Sequence, residues 1–213
     1  MRDLVLIAAS GLAREVMAMR QAGHRVIGVL DDDETLHGHD VGGVEVLGGI
    51  ELAGGLPGSF AVCVGSGAAR RGIVDRLGRL GIGRERFATL VDDAAHVSAN
   101  SRIGEGSIIL AGTVLTADVR VGRHVVVMPN CTLTHDDIVE DYATLAAGVV
   151  LGGAVRIASA AYLGMNASVR QRVNVGGQAT VGMGSVILND VPAGETWAGV
   201  PGRPLSERTG VLR

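Results

Sequence analysis

Aliphatic residues recur at every sixth position from Val97 to Ile187. The series is Val97, Ile103, Ile109, Leu115, Val121, Val127, Leu133, Val139, Leu145, Leu151, Ile157, Leu163, Val169, Val175, Val181 and Ile187. A helix repeats every 3.6 residues and a strand every two, so neither holds a six-residue phase over so long a stretch. A hexad period gives three short strands per turn of about eighteen residues, which predicts a β-helix solenoid.

The positions around each aliphatic residue support the same prediction. A glycine often follows, where we expect a tight turn with positive φ: Gly104, Gly122, Gly152, Gly164, Gly176 and Gly182. Four residues after the aliphatic residue lies a small or β-branched one, as at Ser101, Thr113 and Val125, and Asp137 is the exception. Alternating large and small side chains suit a narrow solenoid interior. Coils stacked at ~4.8 Å would form a prism about 25 Å long.

The first ninety residues show a different pattern, in which apolar strands alternate with helices. Strands are predicted at 4–9, 25–30, 60–65 and 87–91, and helices at 11–21 and 68–80, with a polar loop at 33–43. This order predicts a small parallel sheet covered by helices, a Rossmann-like α/β domain. We therefore expect two domains, residues 1–91 and residues 92–213, the second being the solenoid with a C-terminal tail.

Ligands of such sheets bind beyond the carboxyl ends of the strands. The candidate substrate-binding residues at these ends are Ser10, Gly11, Asp31, Asp32, Ser66 and Gly67. The first turn lacks the Gly-x-Gly-x-x-Gly motif of dinucleotide sites, so a full NAD site is not expected. A helix N-terminus after a glycine-containing turn still attracts phosphate. Asp31 and Asp32 either accept hydrogen bonds from a ribose or base, or form a solvated acidic turn.

Composition excludes several classes of function. The 213 residues carry a net charge of −3 without a basic block, so no nucleic-acid partner is expected. No lysine is present, which excludes P-loop and Schiff-base chemistry. Cys63 and Cys131 lie in apolar runs and are predicted to be buried free thiols, which fits a cytoplasmic location. No apolar stretch reaches ~18 residues and residues 1–3 lead straight into a strand, so we expect neither a signal segment nor a membrane partner.

One polar cluster, Thr134-His135-Asp136-Asp137, interrupts the solenoid pattern and is expected to be displayed on an intact coil. A carboxylate beside His135 can hold its tautomer and raise its basicity, which makes His135 a candidate general base. An exposed surface pair without a catalytic role is the alternative.

The remaining histidines do not favour a metal site. His96 and His124 are predicted to be surface turn residues, and His124 lies eleven residues before His135. Some β-helices are carbonic anhydrases that hold zinc with three histidines, but the solenoid contains no close histidine pair. His37 and His39 in the polar loop also lack ligand spacing, so we expect no metal.

These features together resemble the hexapeptide-repeat acyltransferases. More narrowly, the chain is similar to the sialic acid O-acetyltransferase and nucleotide-aminosugar N-acetyltransferase group, nearly from end to end. Beside the hexads, the matching segments are Ser10-Gly11, Leu30-Asp31-Asp32, Val64-Gly65-Ser66-Gly67 with Arg70, Leu90-Val91-Asp92, His135-Asp136 and Ala198-Gly199-Val200-Pro201-Gly202-Arg203.

The resemblance implies a left-handed parallel β-helix and a homotrimer with active sites between neighbouring solenoids. Acetyl-CoA would lie along that groove as co-substrate, and the N-terminal domain would hold the nucleotide of the sugar substrate. It implies that His135 is the base, that Asp136 orients it, and that the acetyl group passes directly to the sugar without a covalent acyl-enzyme. The implied coenzyme contacts are Gly153, Met165, Gly182, Met183, Pro201 and Arg203.

Two departures concern the substrate. Leu12 and Thr144 stand where the family often has histidines, which leaves the sugar and its binding mode open. The leading hypothesis is N-acetylation of a nucleotide-linked amino sugar. O-acetylation of a sugar hydroxyl is the alternative within enzymes, and a non-catalytic scaffold or ligand-binding solenoid is the alternative outside them. The sequence does not identify the nucleotide, the sugar or whether the acyl group is other than acetyl.

Overall fold

The fold is that of a computed structural model, which describes residues 1–20 and 23–205. The N-terminal part contains one five-stranded sheet with the order β3-β4-β2-β1-β5. Its elements are β1 (Arg2–Ile7), α1 (Gly11–Ala18), β2 (His24–Leu30), β3 (Asp40–Val41), β4 (Val44–Gly48), β5 (Ser59–Val62) and α2 (Gly67–Arg79), with 3-10 turns at Glu34–Leu36, Ile50–Gly55 and Arg84–Arg86. Strands β4, β2, β1 and β5 run parallel, and β3 is antiparallel to β4.

The predicted strands at 4–9, 25–30 and 60–65 and both predicted helices are present with bounds shifted by a few residues. The end of the first helix, at residue 21, lies outside the described residues. The predicted polar loop is instead partly a hairpin of β3 and β4 around Gly42 and Gly43, which have φ values of 63° and 88°. Two glycines between short apolar runs are a signal for a two-residue hairpin turn, and this signal was missed.

The strand predicted at 87–91 does not join this sheet. Phe87 makes a single bridge to Phe60, and only β6 (Leu90–Val91) is a strand, paired with a solenoid strand at Ile108–Ile109. The physical reason lies in the hexad phase, because Val91 is six residues before Val97 and points into the solenoid core. Strand pairing in the solenoid therefore begins at Leu90.

The solenoid has three parallel faces, built from strands of two residues. Face A consists of β7 (His96–Val97), β10 (Val114–Leu115), β13 (Thr132–Leu133), β16 (Val150–Leu151), β19 (Ser168–Val169) and β22 (Val186–Ile187). Face B consists of β8 (Arg102–Ile103), β11 (Arg120–Val121), β14 (Ile138–Val139), β17 (Arg156–Ile157) and β20 (Asn174–Val175). Face C consists of β6, β9 (Ile108–Ile109), β12 (Val126–Val127), β15 (Thr144–Leu145), β18 (Tyr162–Leu163) and β21 (Thr180–Val181), followed by the antiparallel hairpin of β23 (Thr196–Gly199) and β24 (Gly202–Pro204).

Three columns of turns join the faces. Corner AB contains residues 98–101, 116–119, 134–137, 152–155 and 170–173. Corner BC contains residues 104–107, 122–125, 140–143, 158–161 and 176–179. Corner CA contains residues 92–95, 110–113, 128–131, 146–149, 164–167 and 182–185.

The hexad prediction is confirmed in the core. Every member of the series from Ile109 onward is buried in one cluster, and Val97 and Ile103 pack partly buried against it. Register follows the eighteen-residue coil, so that Leu115 pairs with Leu133 and Leu133 with Leu151.

The glycines after the hexad residues were predicted to adopt positive φ, but the structure requires them for a different reason. Left-handed φ values occur two positions further on, for example at His124 (52°) and Asp136 (63°). A Cβ at Gly152 would lie 2.6 Å from the amide nitrogen of Gln171, and one at Gly164 would lie 2.6 Å from that of Met183. Glycine is required there because the next coil passes too close for a side chain.

The N-terminal sheet packs on face C. Leu4, Leu6 and Leu12 share a buried cluster with Ile108 and Val126 of the solenoid. Burial of apolar surface from both parts gives the junction its stability.

Arg70 of α2 reaches across this junction with 1% of its surface exposed. Its guanidinium donates to the carbonyl oxygens of His124 (2.7 Å), Tyr142 (2.8 Å) and Ala143 (3.0 Å). It also donates to the Thr144 hydroxyl (3.0 Å). These bonds attach the start of α2 to corner BC.

Candidate active site

His135 and Asp136 form the turn between β13 and β14 at corner AB. His135 Nδ1 lies 2.8 Å from Asp136 Oδ2, and the two side chains are 66% and 62% exposed. Because the carboxylate is an acceptor, it favours the tautomer with the proton on Nδ1 and leaves the lone pair on Nε2. Nε2 is then free to accept a proton from a substrate.

Gly153 lies one coil further along, beneath the imidazole. A Cβ at this position would collide with Nε2 and Cε1 of His135, so glycine allows the ring to take this position. The Ala154 amide donates to the His135 carbonyl oxygen at 2.9 Å and fixes the spacing of the two turns. Within residues 23–205 the Gly153 amide has no acceptor, so it is available as a hydrogen-bond donor beside Nε2.

Asp137 does not share the exposure of its neighbours and is fully buried. The expectation that the whole polar cluster is displayed is therefore wrong at this residue. Its position four residues after Leu133 points into the core, where the other coils have valine, serine or alanine. Burial raises the pKa of the Asp137 carboxyl to about 7, although hydrogen bonds from the Val155 and Thr134 amides oppose the rise.

The implied coenzyme residues fall into two groups in one chain. Gly153 lies at corner AB beside His135. Met165 and Met183 are exposed at corner CA, 47% and 69% respectively, and the Gly184 amide donates to the Met165 carbonyl oxygen at 2.8 Å. Face A separates the two corners.

The β23–β24 hairpin continues the second group. Pro201 and Arg203 are exposed on it, and the Gly182 amide donates to the Trp197 carbonyl oxygen at 2.8 Å. A Cβ at Gly182 would lie 2.9 Å from the Ala198 Cβ, so Gly182 permits the close packing of this hairpin. Gly182, Met183 and the hairpin form one continuous end of the solenoid.

The candidate substrate residues lie at the carboxyl edge of the N-terminal sheet, where two of them organise the loops. The Ser10 hydroxyl donates to the Cys63 carbonyl oxygen (2.6 Å) and accepts from the Ala13 amide (3.2 Å) as the cap of α1. The Asp31 carboxylate accepts from the Ala9 (2.7 Å) and Asp33 (2.9 Å) amides. Gly11 is exposed, with open space where a side chain would be.

Asp32 at the same edge forms an ion pair with Arg76, with 2.6 Å between Oδ2 and Nη1. The Arg76 hydrogen bond holds the pKa of the Asp32 carboxyl below its usual value. The two aspartates are thus not a simple solvated turn, because each has defined partners.

Ser66 and Gly67 occupy the start of α2. The Ser66 hydroxyl accepts from the Ala69 amide at 3.3 Å, and Gly67 is buried where a Cβ would collide with the Tyr142 carbonyl oxygen. A groove of about 530 Å³ opens beside them, and its lining is Gly65, Ser66, Gly67, Ala68, Ala160, Tyr162, Gln178 and Thr180.

His124 is not the predicted surface turn residue, because it is 4% exposed. Its ring lies 4.8 Å from that of Phe87 and is stacked 5.3 Å from that of Tyr142. Burial, together with the nearby Arg70 charge, lowers the pKa of His124 to about 4. His96 is exposed, but it lies in strand β7 rather than in a turn.

The positions that depart from the family pattern are both buried. Leu12 lies on the buried face of α1 and packs in the core. The Thr144 hydroxyl donates to the Gly65 carbonyl oxygen at 2.7 Å and accepts from Arg70. Cys63 and Cys131 are buried free thiols, as predicted.

Two further observations bear on chemistry and location. Among residues 1–20 and 23–205, no three His, Cys, Asp or Glu side chains converge in a way that could hold a metal ion. The same residues include no helix with the length and apolarity needed to cross a bilayer.

No family profile matches the chain. It is 27% identical over 143 residues to a UDP-3-O-acylglucosamine N-acyltransferase of Caulobacter sp. (strain K31), which is 66% of this chain and 37% of that protein. It is 35% identical over 100 residues to an acyl-(acyl-carrier-protein)–UDP-N-acetylglucosamine O-acyltransferase of Pseudomonas putida, which is 46% of this chain and 39% of that protein. The matches span about two fifths of the length of these curated relatives.

Solved structures match over nearly the whole chain. The acetyltransferase domain of PglB from Neisseria gonorrhoeae FA1090, in complex with acetyl coenzyme A, is 30% identical with a TM-score of 0.87, and the match covers 96% of this chain and 99% of that one. A histidine-to-alanine variant of GDP-perosamine N-acetyltransferase from Caulobacter crescentus, in complex with CoA and GDP-perosamine, is 26% identical with a TM-score of 0.88, covering 96% and 97%. With its three-faced solenoid, which matches the left-handed β-helix of these enzymes, the chain belongs to the hexapeptide-repeat acyltransferase family.

Proposed function

We propose that this protein transfers the acetyl group of acetyl-CoA to the amine of a nucleotide-linked amino sugar, with His135 as general base. The observation that carries the proposal is the geometry at corner AB. There Asp136 holds Nδ1 of His135, and Nε2 lies beside Gly153, whose amide has no acceptor within the described residues. Similar structures that contain acetyl coenzyme A, or CoA with GDP-perosamine, support the choice of co-substrate and acceptor.

In the proposed reaction the sugar amine attacks the thioester carbonyl while Nε2 of His135 takes its proton. The Gly153 amide donates to the oxyanion of the tetrahedral intermediate. Collapse of the intermediate breaks the carbon–sulfur bond, and the departing CoA thiolate takes the proton from the imidazolium. Atoms and charges balance without an enzyme-bound acetyl group.

The cysteines support direct transfer. Burial raises the pKa of the Cys63 thiol to about 12 and that of the Cys131 thiol to about 11. Neither sulfur is a thiolate at neutral pH, and the thiolate is the nucleophilic form. The two buried free thiols also favour a cytoplasmic location.

We further propose that the coenzyme binds between two copies in a homotrimer. In one chain Gly153 and the group formed by Met165, Gly182, Met183, Pro201 and Arg203 lie at opposite edges of face A. A cyclic arrangement joins unlike edges of neighbouring subunits, so it can bring the AB corner of one copy to the CA corner of the next. The thioester then lies at Gly153, and Arg203 is suited to meet a coenzyme phosphate.

The proposed division of labour gives the nucleotide to the N-terminal Rossmann-like domain (residues 1–91) and acetyl transfer to the solenoid domain (residues 92–213). Gly11 at the start of α1, with Ser10, Asp31, Asp32, Ser66 and Gly67 around the same edge, suits a phosphate and a ribose. This edge lies towards corner BC, whereas His135 lies at corner AB. We therefore infer that a sugar held by one copy is acetylated at His135 of its neighbour.

A second candidate is O-acetylation of a sugar hydroxyl. It is favoured by the carboxylate on His135, because a hydroxyl needs a stronger base than a neutral amine does. One of the curated relatives is also an O-acyltransferase.

The test is CoA release from acetyl-CoA with a panel of GDP-, UDP- and dTDP-linked amino sugars and their hydroxyl counterparts. His135→Ala should lower kcat by about 10²–10⁴-fold. His96→Ala, an exposed histidine two coils earlier on face A, is the matched control and should retain wild-type kcat. Full activity of His135→Ala would overturn the assignment of the base. Binding of acetyl-CoA without turnover of any acceptor would favour a non-catalytic solenoid.

A further inference from the structure

The backbone ladder of the solenoid is broken at one position, directly before His135. The amide one residue beyond each hexad strand normally donates to the carbonyl oxygen seventeen residues later. At corner AB this bond is present at Ser98 (3.1 Å), Thr116 (3.0 Å), Gly152 (2.9 Å) and Arg170 (2.9 Å). The corresponding amides that follow faces B and C make it as well, except that Gly176 and Gly182, beside the shorter last coil, donate to the carbonyl oxygens fifteen residues later. Within residues 90–187, Thr134 is the one such amide that donates to a side chain instead of to a backbone carbonyl oxygen.

Asp137 accounts for this exception. The Thr134 amide donates to Asp137 Oδ2 at 2.7 Å instead of to the next coil. The carbonyl oxygen it leaves, that of Leu151, accepts from the Thr134 hydroxyl at 3.1 Å. A hydroxyl group is thus inserted between two coils that elsewhere bond directly through the backbone.

The second carboxylate oxygen of Asp137 reaches the following coil. Oδ1 accepts from the Val155 amide at 2.8 Å, and Val155 closes the turn that begins with Gly152 and Gly153. One buried side chain therefore contacts the turn that contains the base and the turn that contains the glycine beneath it.

The corresponding serine two coils earlier shows which oxygen matters. The Ser101 hydroxyl accepts from the Val119 amide at 3.0 Å, which is the same inter-coil bond as that of Asp137 to Val155. The ladder bond of Ser98 nevertheless remains intact. A single inward oxygen is compatible with the ladder, and the second oxygen of Asp137 is what captures the Thr134 amide.

We propose that Asp137, together with Thr134, is a positioning residue that sets the His135 turn against Gly153. The proposal rests on the proposed role of His135 as base. Asp137 acts through the backbone, holding both ends of the turn, whereas Asp136 contacts the imidazole itself. A base displaced by about 1 Å from its productive position loses about 10²-fold in rate, so a device that fixes the turn matters for turnover.

The two amide hydrogen bonds of Asp137 depend on the ionisation of its carboxyl group. The charged groups that face it are His135 and Asp136. An ionised carboxylate accepts strongly from both amides, whereas in a protonated one the hydroxyl oxygen is a weaker acceptor and its O–H needs an acceptor of its own, so the bond to one of the amides weakens. Loss of the Thr134 bond on protonation would let the ladder close and move the turn.

The first test compares Asp137→Ser and Asp137→Val with the control Ser101→Val. The other coils have serine or valine at this position, so the fold should be retained, as circular dichroism would verify. Both Asp137 variants should lose about 10²-fold in kcat with KM for acetyl-CoA within threefold of wild type. Ser101→Val should keep wild-type kcat. A folded Asp137 variant with kcat within twofold of wild type would overturn the proposal.

A second pair addresses the same turn without changing the buried acid. Thr134→Val removes the inserted hydroxyl and should lower kcat, whereas Thr134→Ser retains the hydroxyl and should restore it. This pair decides the question if the Asp137 variants do not fold, since equal kcat for both Thr134 variants contradicts the proposal.

The pH profile of kcat provides a readout that a purely structural role would not change. In the wild type, protonation of Asp137 should contribute an inflection near pH 7 on the acid limb, and Asp137→Ser should lack that inflection. His135→Ala distinguishes a failure of the proposed function from a failure of the positioning role. If it is fully active, the proposed function fails, and if it is inactive while Asp137→Ser is fully active, only the positioning role fails.

Discussion

Corners AB and BC each contain a histidine, and the two histidines differ in exposure and in their hydrogen-bond partners. His135 at corner AB is 66% exposed and has a carboxylate on Nδ1. His124 at corner BC is 4% exposed, lies between two aromatic rings and has no partner for Nδ1 among the residues that the structure describes. Its pKa is lowered to about 4, mainly by burial, so it is neutral at physiological pH. The comparison shows that a histidine in a solenoid turn stays exposed only where no other part of the chain covers that turn.

The N-terminal part of the chain covers corner BC and is attached there by Arg70. The guanidinium donates to the carbonyl oxygens of His124 and Tyr142, which accept no backbone amide within the described residues, and its own pKa is lowered to about 10 by burial. At corner AB the buried ionisable group is a carboxyl, that of Asp137, which accepts from amides. The buried Arg70 guanidinium joins the N-terminal part to the solenoid, whereas the buried Asp137 carboxyl holds a turn within the solenoid.

The largest expected effect on stability comes from removing the Arg70 guanidinium, which attaches the N-terminal part to corner BC. Arg70→Ala leaves several buried carbonyl oxygens without donors, and we expect it to lower the free energy of unfolding by more than about 3 kcal/mol. Arg71→Ala is the matched control. Among the described residues, Arg71 makes one side-chain hydrogen bond, to Ser159, and lies 5.0 Å over the Tyr142 ring, so its loss should cost about 1 kcal/mol or less. Urea denaturation measures both. Equal losses for the two variants would show that Arg70 does not hold the junction.

An intermediate effect concerns pH, and the two corners should respond with opposite signs. The pKa of Asp137 rises from 3.8 to about 7 on folding. Its contribution to the free energy of unfolding is therefore fully present below pH 3.8 and is lost as pH rises towards 7. The pKa of His124 falls from 6.5 to about 4, so its contribution is fully present above pH 6.5 and is lost as pH falls towards 4. Each contribution amounts to a few kcal/mol, and in the wild type they oppose each other.

Single variants should separate these contributions. Between pH 7 and pH 4.5, His124→Phe should gain free energy of unfolding relative to wild type, whereas Asp137→Ser should lose it. Urea denaturation at a series of pH values makes the comparison within each protein. Parallel curves for the wild type and both variants would contradict the assigned burial of the two groups.

The smallest expected effect lies in the first turn of the N-terminal sheet. Ala8 has a φ of 83°, a conformation that costs an L-residue about 1 kcal/mol and glycine far less. Ala8→Gly should therefore raise the melting temperature slightly, while Ala9→Gly, at the neighbouring position without a positive φ, should lower it. A decrease for Ala8→Gly would show that the methyl group has packing value there.

Much of the fold and part of the site could be predicted from local patterns. The hexad predicts the core from Ile109 to Ile187, because residues eighteen apart become neighbours automatically once the coil repeats. The contact of His135 with Asp136 links adjacent residues and needs no more information than the turn itself. The prediction of a sheet strand at 87–91 is wrong at Leu90 and Val91, because the six-residue spacing of Val91 and Val97 marks them as solenoid residues.

The junction at corner BC could not be predicted in the same way. Arg70 contacts residues 54 to 74 positions away, and no period relates α2 to the solenoid. His124 appears as a surface residue as long as the N-terminal part is considered separately. Its burial depends on where that part packs.

The sequence by itself determined the solenoid, its eighteen-residue register and the pairing of His135 with Asp136, since each follows from short-range repetition or adjacency. Tertiary structure decided the rest. It placed Asp137 inside, broke the ladder at Thr134, put Gly153 beneath the imidazole and divided the implied coenzyme residues between two corners. The physical reason is that these features depend on which groups fill a shared space between coils or between parts of the chain, and such packing is settled only when all of them are present.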